Sequence, residues 1–420
     1  MQLKKSISKT DAIALTIGSV LGSGLLLLPG LTYQKAGSGD SLIAWIIMGF
    51  FAIPFIIIFS NLTVKNPTAG GISGYVDHAF GKKLSKGVTY VLAGTFPIGI
   101  PALTLIGANY VSYALGLSKL TTLAIAYGIV LYAVITNWIG VQAGKKLQNF
   151  SIIALALLLV GVIVVGLPYA NPSRITFEFN VFHIWEAMAI IFWAYLGWEN
   201  MSFTAEEFKN PKRDFMTSMV ISFLVILVLY AGIVYNVIGI LDQSSPTTIT
   251  APLAETISLS LGELGGTIVV IICLLITLIN ANAWVWGGSR LYFSGGRDKV
   301  LPEFLGKIDN DKGAPRNALA VLMVLYTINF LGMAIFGYTI ESLIMIFSQN
   351  FLVLYILSIL AYIKVNKGIG QRILGVCTLI FTCAFMAVFT WSLLYPIVLL
   401  AIPFFIKQRA KQPAAHSVTT

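Results

Sequence analysis

Long apolar runs, separated by short polar breaks, dominate the chain. They fall at about 11–33, 41–63, 87–116, 120–140, 149–169, 181–205, 217–241, 265–294, 317–338, 341–363, 372–390 and 392–406. A bilayer-crossing helix takes roughly 20 mostly apolar residues. The pattern therefore predicts an all-α integral membrane protein with 12 transmembrane helices and short loops. The last two runs lie close together, and the line between them is the faintest in the series. No small-residue cleavage site follows the first run, which reads as a retained span and not a cleaved leader.

Composition agrees. The 420 residues are 57% apolar and only 10% charged, with a mean hydropathy of +0.86. A soluble globular domain carries about a quarter charged residues. The chain is too apolar for a disordered protein and too poor in cysteine for a disulfide scaffold. Cys273, Cys377 and Cys383 lie in apolar stretches without metal-ligand spacing, so neither metal nor cofactor is expected.

The net charge of +10 would suit a nucleic-acid partner only as a basic patch on a soluble fold. Its distribution points to the lipid bilayer instead. An even number of spans puts both tails on one side. That side, inner span ends included, then holds 24 of the 27 Lys and Arg residues, leaving Lys35, Lys119 and Arg174 outside. Such a split follows the positive-inside rule. It predicts a multi-pass protein of the cell (inner) membrane with cytoplasmic N- and C-termini. Lys82, Lys83, Lys86, Lys145 and Lys146 set topology in this reading.

Of 17 acidic residues, only Glu199 falls deep in an apolar run. An ionisable group there is costly and marks a functional site by default. It belongs to Trp193-Ala194-Tyr195-Leu196-Gly197-Trp198-Glu199-Asn200 in span 6, where a glycine, a carboxylate and an amide meet in mid-membrane. Span 1 carries Ile17-Gly18-Ser19-Val20-Leu21-Gly22-Ser23-Gly24. Close helix packing through small residues would also explain the span 1 glycines. Two interrupted helices five spans apart, however, are the mark of a transporter built from two inverted five-helix halves.

The chemistry follows from the breaks. An unwound helix exposes amides at the start of its second half and carbonyls at the end of its first. The amide end suits a carboxylate, and the carbonyl end suits an ammonium. Paired breaks thus bind a zwitterion without a charged side chain. An α-amino acid is the expected ligand, its carboxylate at Gly22, Ser23 and Gly24 and its amine near the carbonyls of Ile17, Trp193 and Ala194. Gly197 serves as hinge and binding backbone.

Further candidates lie nearby. Trp193 and Trp198 are candidate gates, with Trp193 as the lid. Asn109 and Asn280 are candidate polar contacts, although mid-membrane amides such as these, Asn282 and Asn350 often only tie helices together. Trp284, four residues after Asn280, shares its helix face. Pro97 and Pro101 are expected to kink span 3.

Four blocks in register resemble the amino acid–polyamine–organocation (APC) superfamily. They are the span 1 Gly22-Ser23-Gly24; Asn66-Pro67-Thr68-Ala69-Gly70-Gly71 running to Tyr75 and Ala79-Phe80-Gly81; Gly197-Trp198-Glu199 followed by Ala205 to Pro211; and Ser289-Arg290-Leu291-Tyr292 with Arg297-Asp298, Leu301-Pro302 and Ala314-Pro315. Phe96-Pro97-Ile98-Gly99-Ile100-Pro101 and Glu207-Phe208-Lys209-Asn210-Pro211 look most like the bacterial exporters of methionine and branched-chain amino acids. Lys299 and Phe215 depart from common family residues, both in inner loops. Span 5 lacks the lysine that some proton-coupled relatives carry.

The resemblance implies a LeuT-like five-plus-five inverted repeat with broken helices 1 and 6. Repeat 1 covers about 10–170, repeat 2 about 180–365, spans 11 and 12 about 370–407, and a short cytoplasmic tail 408–420. It implies substrate between spans 1, 3, 6, 8 and 10, and secondary transport. The apolar side chains around the breaks favour methionine, leucine, isoleucine and valine, exported with a proton as coupling ion and Glu199 as coupling group. An uptake permease or exchanger of the same fold, or a non-transporting amino acid sensor, are the alternatives. Nothing suggests an enzyme.

Overall fold

A computed structural model describes residues 8–21, 23–65, 71–140, 145–199, 201, 208, 211–308, 314–389 and 391–405. Gly22, the Asn66–Gly70 block, residues 202–207 and the tail 408–420 lie outside the described residues. Among the described residues every regular element is a helix. Nine are long and apolar enough to cross a membrane, and Val181–Tyr195 and Leu394–Phe405 are shorter apolar stretches.

The predicted first span is in pieces. α1 (Lys9–Val20) starts at a reciprocal cap, in which Ser8 and Asp11 bond each other's backbone N–H. It ends before a short 3₁₀ turn, Ser23–Leu26, and α2 (Leu28–Ala36) completes the crossing. Then follow α3 (Ser38–Lys65), α4 (Gly71–Phe80), α5 (Lys82–Leu115), α6 (Lys119–Trp138) and α7 (Lys145–Gly166). The sixth span is α8 (Val181–Ile191), capped by the Asn180 side chain and continued by the 3₁₀ turn Phe192–Tyr195. The rest are α9 (Pro211–Ile240), α10 (Pro246–Thr250), α11 (Pro252–Leu261), α12 (Glu263–Arg297), α13 (Arg316–Phe336), α14 (Ile340–Val365), α15 (Ile369–Phe385) and α16 (Leu394–Phe405).

Three of these helices sit where only loops were expected. α4 buries Ile72, Tyr75, Val76 and Ala79, a one-sided stripe at helical spacing. α10 and α11 each begin with a proline in the first turn, where its missing N–H costs nothing.

One proline of α5 is accommodated from outside the helix. Pro97 has no N–H for the carbonyl of Ala93, one turn earlier. The Tyr292 hydroxyl of α12 donates to that oxygen at 2.6 Å. A neighbouring helix thus satisfies the freed group, as membrane interiors require.

The buried apolar side chains divide into two clusters. The larger takes in α1–α4, α7–α9, α11, α14 and α15, together with Val88, Val91, Ile106 and Tyr110 of α5 and Val269, Val270, Cys273 and Ile276 of α12. The smaller joins α5, α6, α12 and α13. Trp193 packs against both.

Candidate binding site between two helix breaks

The second break is determined residue by residue. After the 3₁₀ turn, Leu196 is extended, with φ −84° and ψ 153°, and Gly197 takes φ +121°. Only glycine enters that region without strain. Space gives a second reason: a Cβ on Gly197 would stand 2.5 Å from the Ser19 carbonyl oxygen. The Ser19 hydroxyl in turn donates to the Gly197 carbonyl at 3.0 Å. The two breaks therefore touch backbone to backbone.

Glu199 folds back over this turn. Its Oε2 accepts the Gly197 N–H at 2.9 Å and the Tyr355 hydroxyl of α14 at 2.5 Å. The side chain is 2% exposed. Both donors suit an ionised carboxylate, since charge-assisted bonds are the stronger kind. Tyr355 is held in place by the rings of Phe55, Phe59 and Phe192.

Neighbouring helices hold both breaks. Tyr110 of α5 donates its hydroxyl to the Leu26 carbonyl at 2.5 Å. Tyr230 of α9 donates to the Ala194 carbonyl at 2.6 Å and lies 3.5 Å from that of Val20.

Between the breaks lies a cavity of about 60 Å³, several times the roughly 10–15 Å³ one water needs. Gly18, Ser19, Val20, Gly24 and Leu25 line it from the first break. Trp193, Ala194, Leu196, Gly197 and Glu199 line it from the second. α5 adds Phe96, Gly99, Ile100 and Leu103; α12 adds Asn280 and Trp284; α14 adds Phe347 and Phe351. The wall is apolar and aromatic, and the polar groups cluster at the two breaks and at Asn280, an ordinary plan for a small-molecule site. Trp193 lies over Gly24, where a Cβ would come 2.9 Å from its ring. It also stacks on Phe347 with centroids 4.4 Å apart.

Gly24, Trp193, Ala194, Gly197, Glu199 and Asn280 thus meet around one cavity. Gly22 lies outside the described residues, and of Ser23 only the backbone turn is described. Three expectations need correction. Ile17 does not line the cavity, and its carbonyl closes α1 by accepting the Leu21 N–H at 2.7 Å. Asn109 is absent from the lining because the wall of α5 follows 96, 99, 100 and 103, a stripe that 109 does not continue. Trp198 is buried away from the cavity, its ring 6.2 Å from that of Phe223. The carbonyls of Trp193 and Ala194 already accept from Leu196 N–H and Tyr230; each oxygen keeps a second lone pair. Asn282 ties α12 to α6 through Thr136 at 2.5 Å, and Asn350 donates to Thr95 at 3.0 Å. Both are helix ties.

Sequence reading missed Phe347, Phe351 and Tyr355. Their spacing of four along α14 was the available signal.

The sequence matches the family model described as amino acid permease over residues 7–419. It is 31% identical over 414 residues to the uncharacterized amino acid permease YecA of Bacillus subtilis, covering 96% of each chain. It is 24% identical to the L-methionine/branched-chain amino acid exporter YjeH of Escherichia coli, covering 100% of this chain and 99% of that protein. The fold is similar to that of MhsT, solved in complex with L-phenylalanine. The TM-score is 0.64 at 13% identity, covering 93% of this chain and all of the other. The chain belongs to the amino acid permease family of the APC superfamily, and its fold is of the LeuT kind.

Proposed function

We propose that this member of the amino acid permease family is a secondary transporter that exports neutral hydrophobic amino acids, methionine, leucine, isoleucine and valine first, in exchange for protons. The observation that carries the proposal is the cavity between the two helix breaks, with backbone at both ends, an aromatic wall and Glu199 as the one carboxylate among its described lining residues. The amides of Gly22, Ser23 and Gly24 hold the substrate carboxylate. The carbonyl end of span 6 receives the amine, and the apolar side chain lies toward Phe96, Trp284 and Phe347. The likeness to the L-methionine/branched-chain amino acid exporter of Escherichia coli supports this substrate class.

In this reading twelve spans cross the inner membrane with both termini in the cytoplasm, and spans 1–5 and 6–10 form the two repeats. Alternating access completes the reading. The body holding α1, α2 and α8 rocks against that of α5, α6, α12 and α13. Trp193, in contact with both, is the lid. Protonating Glu199 weakens its hold on Gly197 and Tyr355 and so links proton binding to the shape of the break.

The test is methionine flux driven by an imposed pH gradient across proteoliposomes. Gln at position 199 keeps an oxygen for both donors but has no proton to exchange. Glu199→Gln is expected to retain counterflow and lose the response to the gradient. An unchanged response would leave Glu199 a purely structural carboxylate.

A further inference from the structure

Phe347 of α14 is wedged between two other spans at the wall of the cavity. Its ring stacks on Trp193, with centroids 4.4 Å apart and 29° between the planes. The ring of Phe351, one turn along α14, lies 4.9 Å away. The Cδ2–Cε2 edge of Phe347 rests on Gly99 of α5. A Cβ at that glycine would lie 2.5 Å from Cδ2 and closer still to Cε2, far inside the roughly 3.5–4.0 Å of an ordinary carbon contact. Trp193 in turn lies over Gly24 of the first break. Two stacked rings thus fill the space between a glycine of the first span and a glycine of α5.

The backbone does not demand a glycine at 99. The residue lies inside α5, and its φ is not positive. Glycine at such a place costs roughly 0.5–1 kcal/mol relative to alanine. The three atoms nearest its missing Cβ all belong to the Phe347 ring. What the glycine supplies is room for that ring. Gly99 is also a lining residue of the cavity in its own right.

Volume supplies the remaining constraint. Beside the rings the cavity measures about 60 Å³, room for about four to six water-sized groups at roughly 10–15 Å³ each. Leucine and methionine each have more non-hydrogen atoms than that. A ring of the stack therefore has to give way for them. Over the bare backbone of Gly99 the Phe347 edge can slide. A methyl group at 99 would block that movement and take cavity space besides.

We propose that Gly99 is a specificity-determining residue of the site and acts through Phe347. The space it leaves beside the ring sets the largest side chain that the pocket accepts. The inference rests on the reading of this cavity as the amino acid site and adds to it a limit on substrate size. Gly99 makes no polar contact to the substrate in this account; it governs how far an aromatic neighbour can yield.

The experiment is counterflow of labelled valine, leucine, methionine and phenylalanine, each at the same sub-saturating concentration, into proteoliposomes holding the purified full chain. Gly99→Ala is expected to lower the leucine-to-valine ratio about tenfold, the discrimination one methylene can give. Phe347→Ala should raise the phenylalanine-to-valine ratio by about as much. Added to Phe347→Ala, Gly99→Ala should leave the leucine-to-valine ratio where it was, because the ring it strikes is gone. An unchanged ratio in Gly99→Ala, whether uptake is kept or falls equally for all four, overturns the proposal. A shift that persists without the ring overturns the part given to Phe347. If Gly99→Ala does not insert, Phe347→Ala carries the test, and an unchanged phenylalanine ratio overturns the proposal. A wild type silent toward all four amino acids overturns the reading of the site and the size limit with it, so the two failures are told apart.

Discussion

The two helix breaks face each other across one cavity, yet they are built differently. The break in the sixth span is shaped by its own residues, with Tyr230 and Tyr355 bonded to it from outside. Gly197 supplies a backbone conformation closed to other residues, and Glu199, two positions on, pins its N–H. The break in the first span rests on partners in other segments: Tyr110 holds Leu26, its own Ser19 donates to Gly197, and Tyr230 sits beside Val20. A break that carries its own lock can act as a switch, because altering one group changes it. A break held by neighbours follows what those neighbours do. In the proposed cycle the sixth span is the controlling element and the first the responding one.

The largest effect that would break this comparison is expected from Gly197→Ala. Positive φ alone costs roughly 1–3 kcal/mol, and the new Cβ would meet the immovable backbone of Ser19. Counterflow should be lost although the protein still inserts and elutes as a monodisperse species. Tyr355→Phe comes next. It removes a hydrogen bond to a carboxylate, worth about 1.5–3 kcal/mol, or about 10- to 100-fold. Its signature should be an altered pH profile of flux, because the loss falls on Glu199. Tyr230→Phe removes a neutral bond to the Ala194 carbonyl, about 0.5–1.5 kcal/mol. It should cost transport several-fold and leave the pH profile in place. Gly24→Ala meets the movable ring of Trp193 most closely, with only the Leu28 side chain beyond it at 3.4 Å, and should weaken substrate affinity a few-fold. Asn109→Ala should leave affinity unchanged in the same competition assay. A large loss there would mean that the wall of α5 is misplaced.

How legible these features were in sequence follows the same division. The sixth-span break was readable because Gly197 and Glu199 are out of place in an apolar run. The first-span break was readable only as its counterpart five spans earlier. Each of the nine long apolar helices among the described residues falls on a predicted apolar run, while α4 was missed although its stripe of Ile72, Tyr75, Val76 and Ala79 is regular. A short amphipathic segment between long spans is easily read as loop. The aromatic wall was hidden for a physical reason: a phenylalanine facing lipid, core or cavity looks the same in a membrane sequence. Phe347, Phe351 and Tyr355 differ from the exposed Phe50 or Phe336 only by which side of their helix is covered. Trp198 erred in the opposite sense. A tryptophan beside a break suggested a gate, but the extended turn at Leu196 and Gly197 sends it into α9.

The most direct test of the account is counterflow of labelled leucine into proteoliposomes preloaded with unlabelled leucine, comparing the wild type with Gly24→Trp. The tryptophan would fill the cavity at the point where Trp193 already closes over Gly24. The account predicts uptake by the wild type, competed by methionine, isoleucine and valine and not by cationic amino acids, and none by the variant. Undiminished uptake by Gly24→Trp would contradict it, for the transported amino acid would then pass by a route other than the cavity between the breaks.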